Sequence, residues 1–179
     1  MFNSKQKVSV FFIDNDSLYV NSILGNSQEI NEYNVKVYSD SNKFLEDFSL
    51  QKNDKKAICI IFLATTLGVD NNNEQITAID ILRKIKGINS RVEVILYSNN
   101  DEIDLVSDAF TNGVYTFIKK NENIVLRIEN NVRAIISQKI FLIKKQSSRL
   151  ITIVFLLFLL GISTILLILC VIYPEYGIF

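Results

Sequence analysis

The run ICIIFLATTLG, Ile58–Gly68, opens with six apolar residues and closes on small, neutral ones. An apolar run without alternation suits a strand covered on both faces, as in the middle of a parallel sheet. The carboxyl end of such a strand is where an α/β protein displays its reactive group. Here the first carboxylate after the strand is Asp70, well out into the following loop.

Working outward, apolar runs at Val8–Ile13, Val92–Tyr97 and Val114–Ile118, and a more polar one at Tyr33–Tyr38, predict four further strands. Between them lie segments of helical spacing: DSLYVNSIL, SNKFLEDFSL, NNNEQITAIDILRKIKG and DEIDLVSDAFTNG, the last ending at Gly113. In the third, Asn71 and Glu74 are spaced as a helix start and Gly87 as its stop. A long helix is expected from about Asn121. Strand–helix alternation of this kind predicts an α/β fold with a five-stranded parallel sheet and right-handed crossovers. The three most apolar strands, first, third and fourth, belong in the centre, and the second and fifth toward the edges.

The chain has 179 residues, no net charge and an apolar fraction of 49%. Neither disorder nor nucleic-acid binding is suggested by that balance. Histidine is absent, which removes the commonest general base and metal ligand. Cys59 and Cys170 both fall in apolar runs and read as buried hydrophobes, not as a disulfide or zinc set. The amino terminus runs from a basic start through a short apolar stretch straight into Asp14, and lacks a signal-peptide cleavage pattern.

From Leu150 to Tyr173 no residue is charged. At 1.5 Å per residue this stretch reaches about 36 Å, enough for a hydrocarbon core of about 30 Å. Lys139, Lys144, Lys145 and Arg149 precede it, whereas only Glu175 follows. The positive-inside rule then expects a single-pass protein of the cytoplasmic (inner) membrane, with its amino-terminal domain in the cytoplasm and its carboxyl terminus outside. Tyr173 marks the far interface and Pro174 ends the helix. The expected organisation is a cytoplasmic domain over 1–135, a basic juxtamembrane helix over 136–149, a transmembrane helix over 150–173 and a short tail over 174–179.

Strand ends carry the candidate chemistry. The first strand ends in Asp14-Asn15-Asp16, the third in Ala64-Thr65-Thr66, the fourth in Ser98-Asn99-Asn100, the fifth in Lys119-Lys120-Asn121. Carboxylates, a hydroxyl and an ammonium on one edge form a phosphate-and-magnesium kind of set. In order and spacing, residues 8 to about 135 resemble a two-component response-regulator receiver domain, on FFIDND and VILYSNNDEIDLVSDAFTNGVYTFIKKNEN. The resemblance implies a (βα)5 flavodoxin-like receiver fold. It places Ser98 at the family's hydroxyl position, Phe117 at its switch aromatic and Lys120 at its invariant lysine.

The same alignment puts Ala64 where the phosphoacceptor aspartate belongs, and Asn15 in place of one paired carboxylate. An alanine methyl offers no oxygen nucleophile for phosphoryl transfer. Asp14 and Asp16 remain as weak Mg²⁺ candidates, so weak or absent magnesium binding and no cofactor are expected. Read structurally, Asp16 caps the first helix, Lys120 pairs with Asp14, Ser98 caps the turn after the fourth strand and Phe117 packs the sheet edge. The expectation is a degenerate, pseudo-receiver: not an enzyme, but a membrane-tethered, phosphorylation-independent protein-interaction or scaffold subunit of a signalling or membrane assembly. The alternative is a functional response regulator whose output is its membrane anchor. From Asn121 to Gln146 a helical face of Val125, Ile128, Val132, Ile135, Ile136, Ile140 and Ile143 outlasts the domain. Its expected partners are membrane lipid, another membrane or cytoplasmic protein, or a second copy, and not nucleic acid.

Overall fold

A computed structural model describes residues 7–50, 57–69, 75–99 and 103–172. The chain divides into two units, Met1–Ser137 and Gln138–Phe179. In the first, β1 (Val8–Ile13), α1 (Ser17–Gly25), β2 (Asn34–Tyr38), α2 (Ser41–Ser49) and β3 (Ile58–Ala64) come in turn. They are followed by β4 (Thr66–Val69), β5 (Gln75–Thr77), α3 (Ala78–Ile88), β6 (Glu93–Ser98), α4 (Ile103–Thr111) and β7 (Thr116–Lys119). The last helix, α5, is Ile124–Ile172.

Five strands form one parallel sheet in the order β2-β1-β3-β6-β7. The three most apolar strands are central, as their unbroken apolar runs require. The chain steps from β1 to β2 on one side and then to β3 on the other. The crevice between β1 and β3 is therefore the topological switch point, and Asp14 and Ala64 flank it.

Aromatic packing fixes both faces of the sheet. Phe11 meets Phe44 and Phe48 of α2 edge-on, at 5.7 and 6.2 Å between centroids. Phe12 stacks on its register partner Phe62 at 4.7 Å, and Tyr97 meets Phe62 edge-on. Ile128, Val132 and Ile135 of α5 are fully buried, at the spacing of one helical face. Each such side chain contributes about 1.5–3 kcal/mol of burial. Ser27 ties the loop after α1 to α5, its buried hydroxyl donating to Glu129 at 2.7 Å and accepting from Ile30 N–H at 3.1 Å. Arg133 pairs with Glu29 beside it.

Between β3 and α3 the structure departs from the expected single helix. β4 and β5 pair antiparallel as a small separate hairpin, so the helix begins only at Ala78. Asn71 and Glu74 lie outside the described residues; the cap is Thr77, whose hydroxyl accepts from Asp80 N–H at 3.1 Å. Thr66, Val69, Ile76 and Thr77 are β-branched and favour the extended hairpin over helix. Gly68, at φ +82°, accommodates the irregular register. Gly87 does not stop α3, which runs to Ile88 and closes on Asn89. At the fifth main strand Tyr115 N–H already donates to Val94 at 2.7 Å, yet β7 proper starts at Thr116. α5 starts at Ile124 rather than Asn121, whose carboxamide accepts from Asn123 N–H.

In the second unit, Ile151–Leu169 is a helical stretch of 19 residues with mean hydropathy 2.9 and none of it buried against the protein. It is long and apolar enough to cross a membrane. The Thr164 hydroxyl donates to the Gly161 carbonyl at 2.8 Å, satisfying its polar group within the helix. Tyr173 and the Arg149 side chain lie outside what the structure describes.

Candidate functional site

Asp14 sits one residue past the end of β1, with its side chain 1% exposed. Both oxygens of its carboxylate accept hydrogen bonds. One oxygen accepts from Asp16 N–H at 2.9 Å and the other from the Lys120 ammonium at 2.8 Å. Its own N–H donates to the Tyr38 carbonyl at 3.0 Å. Asp16 is exposed and caps α1, accepting from Tyr19 N–H at 3.0 Å. Asn15 is exposed.

Strand register decides what else shares the crevice. Ala64 pairs with Tyr97, and Tyr97 with Ile118. Register partners lie on one face, and residues two apart along a strand return to it. Asp14, Ala64, Tyr97 and Lys120 therefore occupy the same face at the carboxyl edge. Ser98, buried and one residue on, belongs by alternation to the opposite face; its carbonyl accepts from Lys120 N–H at 2.7 Å. Phe117 is half-buried on the edge strand, in register with Leu96.

The Lys120 ammonium is enclosed. It lies 4.6 Å from the Tyr19 ring centroid and 4.7 Å from that of Tyr97, while paired to Asp14. Two ring faces and a carboxylate together solvate the cation in place of water. Tyr97 is fully buried, and its hydroxyl has no hydrogen-bond partner at normal geometry among the described residues. Burial first, then the facing Asp14 carboxylate, pushes the Tyr97 phenol well above its ordinary range. Tyr19 is raised too, by burial and then by Asp14 and Asp16. Both phenols are protonated at neutral pH.

The carboxylates present here are those of Asp14 and Asp16. Both Asp14 oxygens and the capping oxygen of Asp16 each accept one hydrogen bond from the protein, and Ala64 adds no oxygen. No group of three or more metal-ligating side chains occurs among the described residues. Tyr19 and Lys120 also line an open cleft of about 290 Å³, together with Ser22, Asn26, Asn99 and Asn121. Sequence reading brought out Asp14, Ala64 and Lys120, which the fold does bring together. It missed Tyr19 and Tyr97. The available signal was a phenol ending the otherwise aliphatic run VEVILY, beside the expected hydroxyl.

Many solved structures match the first unit's fold. A response-regulator receiver domain protein of Clostridium thermocellum is 21% identical, with a TM-score of 0.61, covering 75% of this chain and 98% of its own. A CheY-like receiver domain protein from Methanospirillum hungatei JF-1 is 11% identical at a TM-score of 0.59, covering 73% and 94%. The receiver domain of an HD domain-containing protein of Pseudomonas fluorescens Pf-5 is 12% identical at 0.59, covering 78% and 93%. No family model and no curated protein matches the sequence. The first unit thus has the flavodoxin-like fold seen in response-regulator receiver domains, and an apolar helix follows it at the carboxyl end.

Proposed function

We infer that this chain is a membrane-tethered, phosphorylation-independent receiver-like module that serves as a protein-interaction or scaffold subunit at the cytoplasmic face of a membrane complex. The observation that carries this reading is the crevice itself. The phosphoacceptor position is the buried methyl of Ala64, and Lys120 is held by Asp14 and two tyrosine rings. Lys120 is already paired, and no carboxylate stands at Ala64 to accept a phosphoryl group.

Membrane tethering is supported by the unburied 19-residue apolar helix and by the cations preceding it. A second reading, a working response regulator, draws on the retained Asp14, Ser98 and Lys120. Incubation of the full chain with acetyl phosphate, or with beryllofluoride, plus Mg²⁺ separates the two. The scaffold reading expects no phosphorylated species and no shift in unfolding temperature; a stable adduct or a cooperative shift refutes it.

A further inference from the structure

The strongest unassigned feature is the pair Lys144 and Lys145 in the second unit. Both are exposed, and neither makes an ion pair among the described residues. No acidic residue occurs anywhere from Asn130 to Pro174, so the helix supplies no counter-charge near either lysine.

Their depth follows from helix geometry. Lys145 and Lys144 precede Ile151, the first residue of the apolar stretch, by six and seven positions. At 1.5 Å per residue they stand about 9 and 10 Å from the hydrocarbon edge. The stretch of 19 residues spans about 29 Å, which matches a core of about 30 Å. Each headgroup layer is about 5–8 Å thick, so the flexible stems of both lysines reach the phosphates. Lys139, at about 18 Å, does not. Successive residues diverge by about 100° around the axis, so the two ammonium groups face different flanks of the helix. A single partner helix on one side meets only one of them. A surrounding shell of headgroups meets both.

On the membrane-anchored reading above, we propose that Lys144 and Lys145 form a collar that recruits anionic phospholipid headgroups of the cytoplasmic leaflet. The occupant is a lipid phosphate in the bilayer, chosen by charge complementarity and by continuity with the apolar stretch.

The test reconstitutes the full chain into phosphatidylcholine vesicles containing a minor fraction of phosphatidylglycerol, and measures the lipids retained after gentle detergent extraction. The expected result is phosphatidylglycerol enriched about fivefold or more over its bulk fraction at low salt, declining as salt rises. K144Q/K145Q loses most of that enrichment, while Lys139→Gln keeps it. Alkaline carbonate washing and protease protection are run on every variant. A chain that washes off refutes the membrane anchor itself. A chain that stays integrated and correctly oriented without phosphatidylglycerol preference, or whose preference survives K144Q/K145Q, overturns the collar alone.

Discussion

Replacing Lys120 by methionine probes the cluster most directly. The substitution keeps the stem but removes the ammonium, leaving one oxygen of the Asp14 carboxylate buried without its donor. Breaking one partner out of a buried ion pair costs about 3–5 kcal/mol, because the remaining charge is neither solvated nor paired. The lost contacts to the Tyr19 and Tyr97 rings, about 0.5–2 kcal/mol, are counted as part of that cost. For a unit of this size each kcal/mol lowers the unfolding temperature by about 3–5 °C, so a fall of about 10–20 °C is expected. The assay is urea and thermal unfolding of the full chain in detergent, followed by near-ultraviolet tyrosine circular dichroism. Asp14→Asn added to Lys120→Met removes the stranded charge while keeping an acceptor for Asp16 N–H, and restores about half the loss or more. A Lys120→Met cost below about 1 kcal/mol, or a double variant no better than the single one, refutes the idea that the pair is a buried, mutually dependent unit.

Three further outcomes follow from named residues. Ala64→Asp remains unlabelled by acetyl phosphate and loses about 2 kcal/mol or more, because its carboxyl is buried beside Asp14 and Tyr97; a stable, labelled variant shows instead that the crevice is intact. Cys59, whose thiol burial pushes up to about 12, resists iodoacetamide at pH 8.5 in a Cys170→Ser background until the chain unfolds; fast labelling of folded protein contradicts its placement. Stability falls as pH rises above about 10, since the unfolded chain releases phenolic protons that Tyr19, Tyr33, Tyr38 and Tyr97 retain when folded, burial being the first cause in each. Absorbance at 295 nm checks this, and full ionisation of all phenols in the still-folded state speaks against it.

Much of the architecture was legible because it depends on local pattern. The uncovered alternation of the second strand and the continuous apolar runs of the first, third and fourth predicted which strands are central. The Asp16 cap and the Asp14–Lys120 pair were legible too, since cap chemistry and charge complementarity act between residue types that the strand ends display. The hairpin Thr66–Thr77 was not, because β-branched residues inside a segment of helical spacing are resolved only by what they pair with. Thr77, a short hydroxyl side chain, then became the real start of α3.

The amino-acid order by itself determined that no acid stands at Ala64, that a cation is available at Lys120 and that an apolar helix follows the domain. Those are matters of which atoms are present. Only the tertiary structure decided what surrounds Lys120. Parallel register sets Tyr97 beside Ala64, and the first turn of α1 brings Tyr19 over Lys120. Residues 23 and 101 positions from Lys120 along the chain thus become its solvent, and that proximity comes from sheet register and helix packing, which no local pattern encodes.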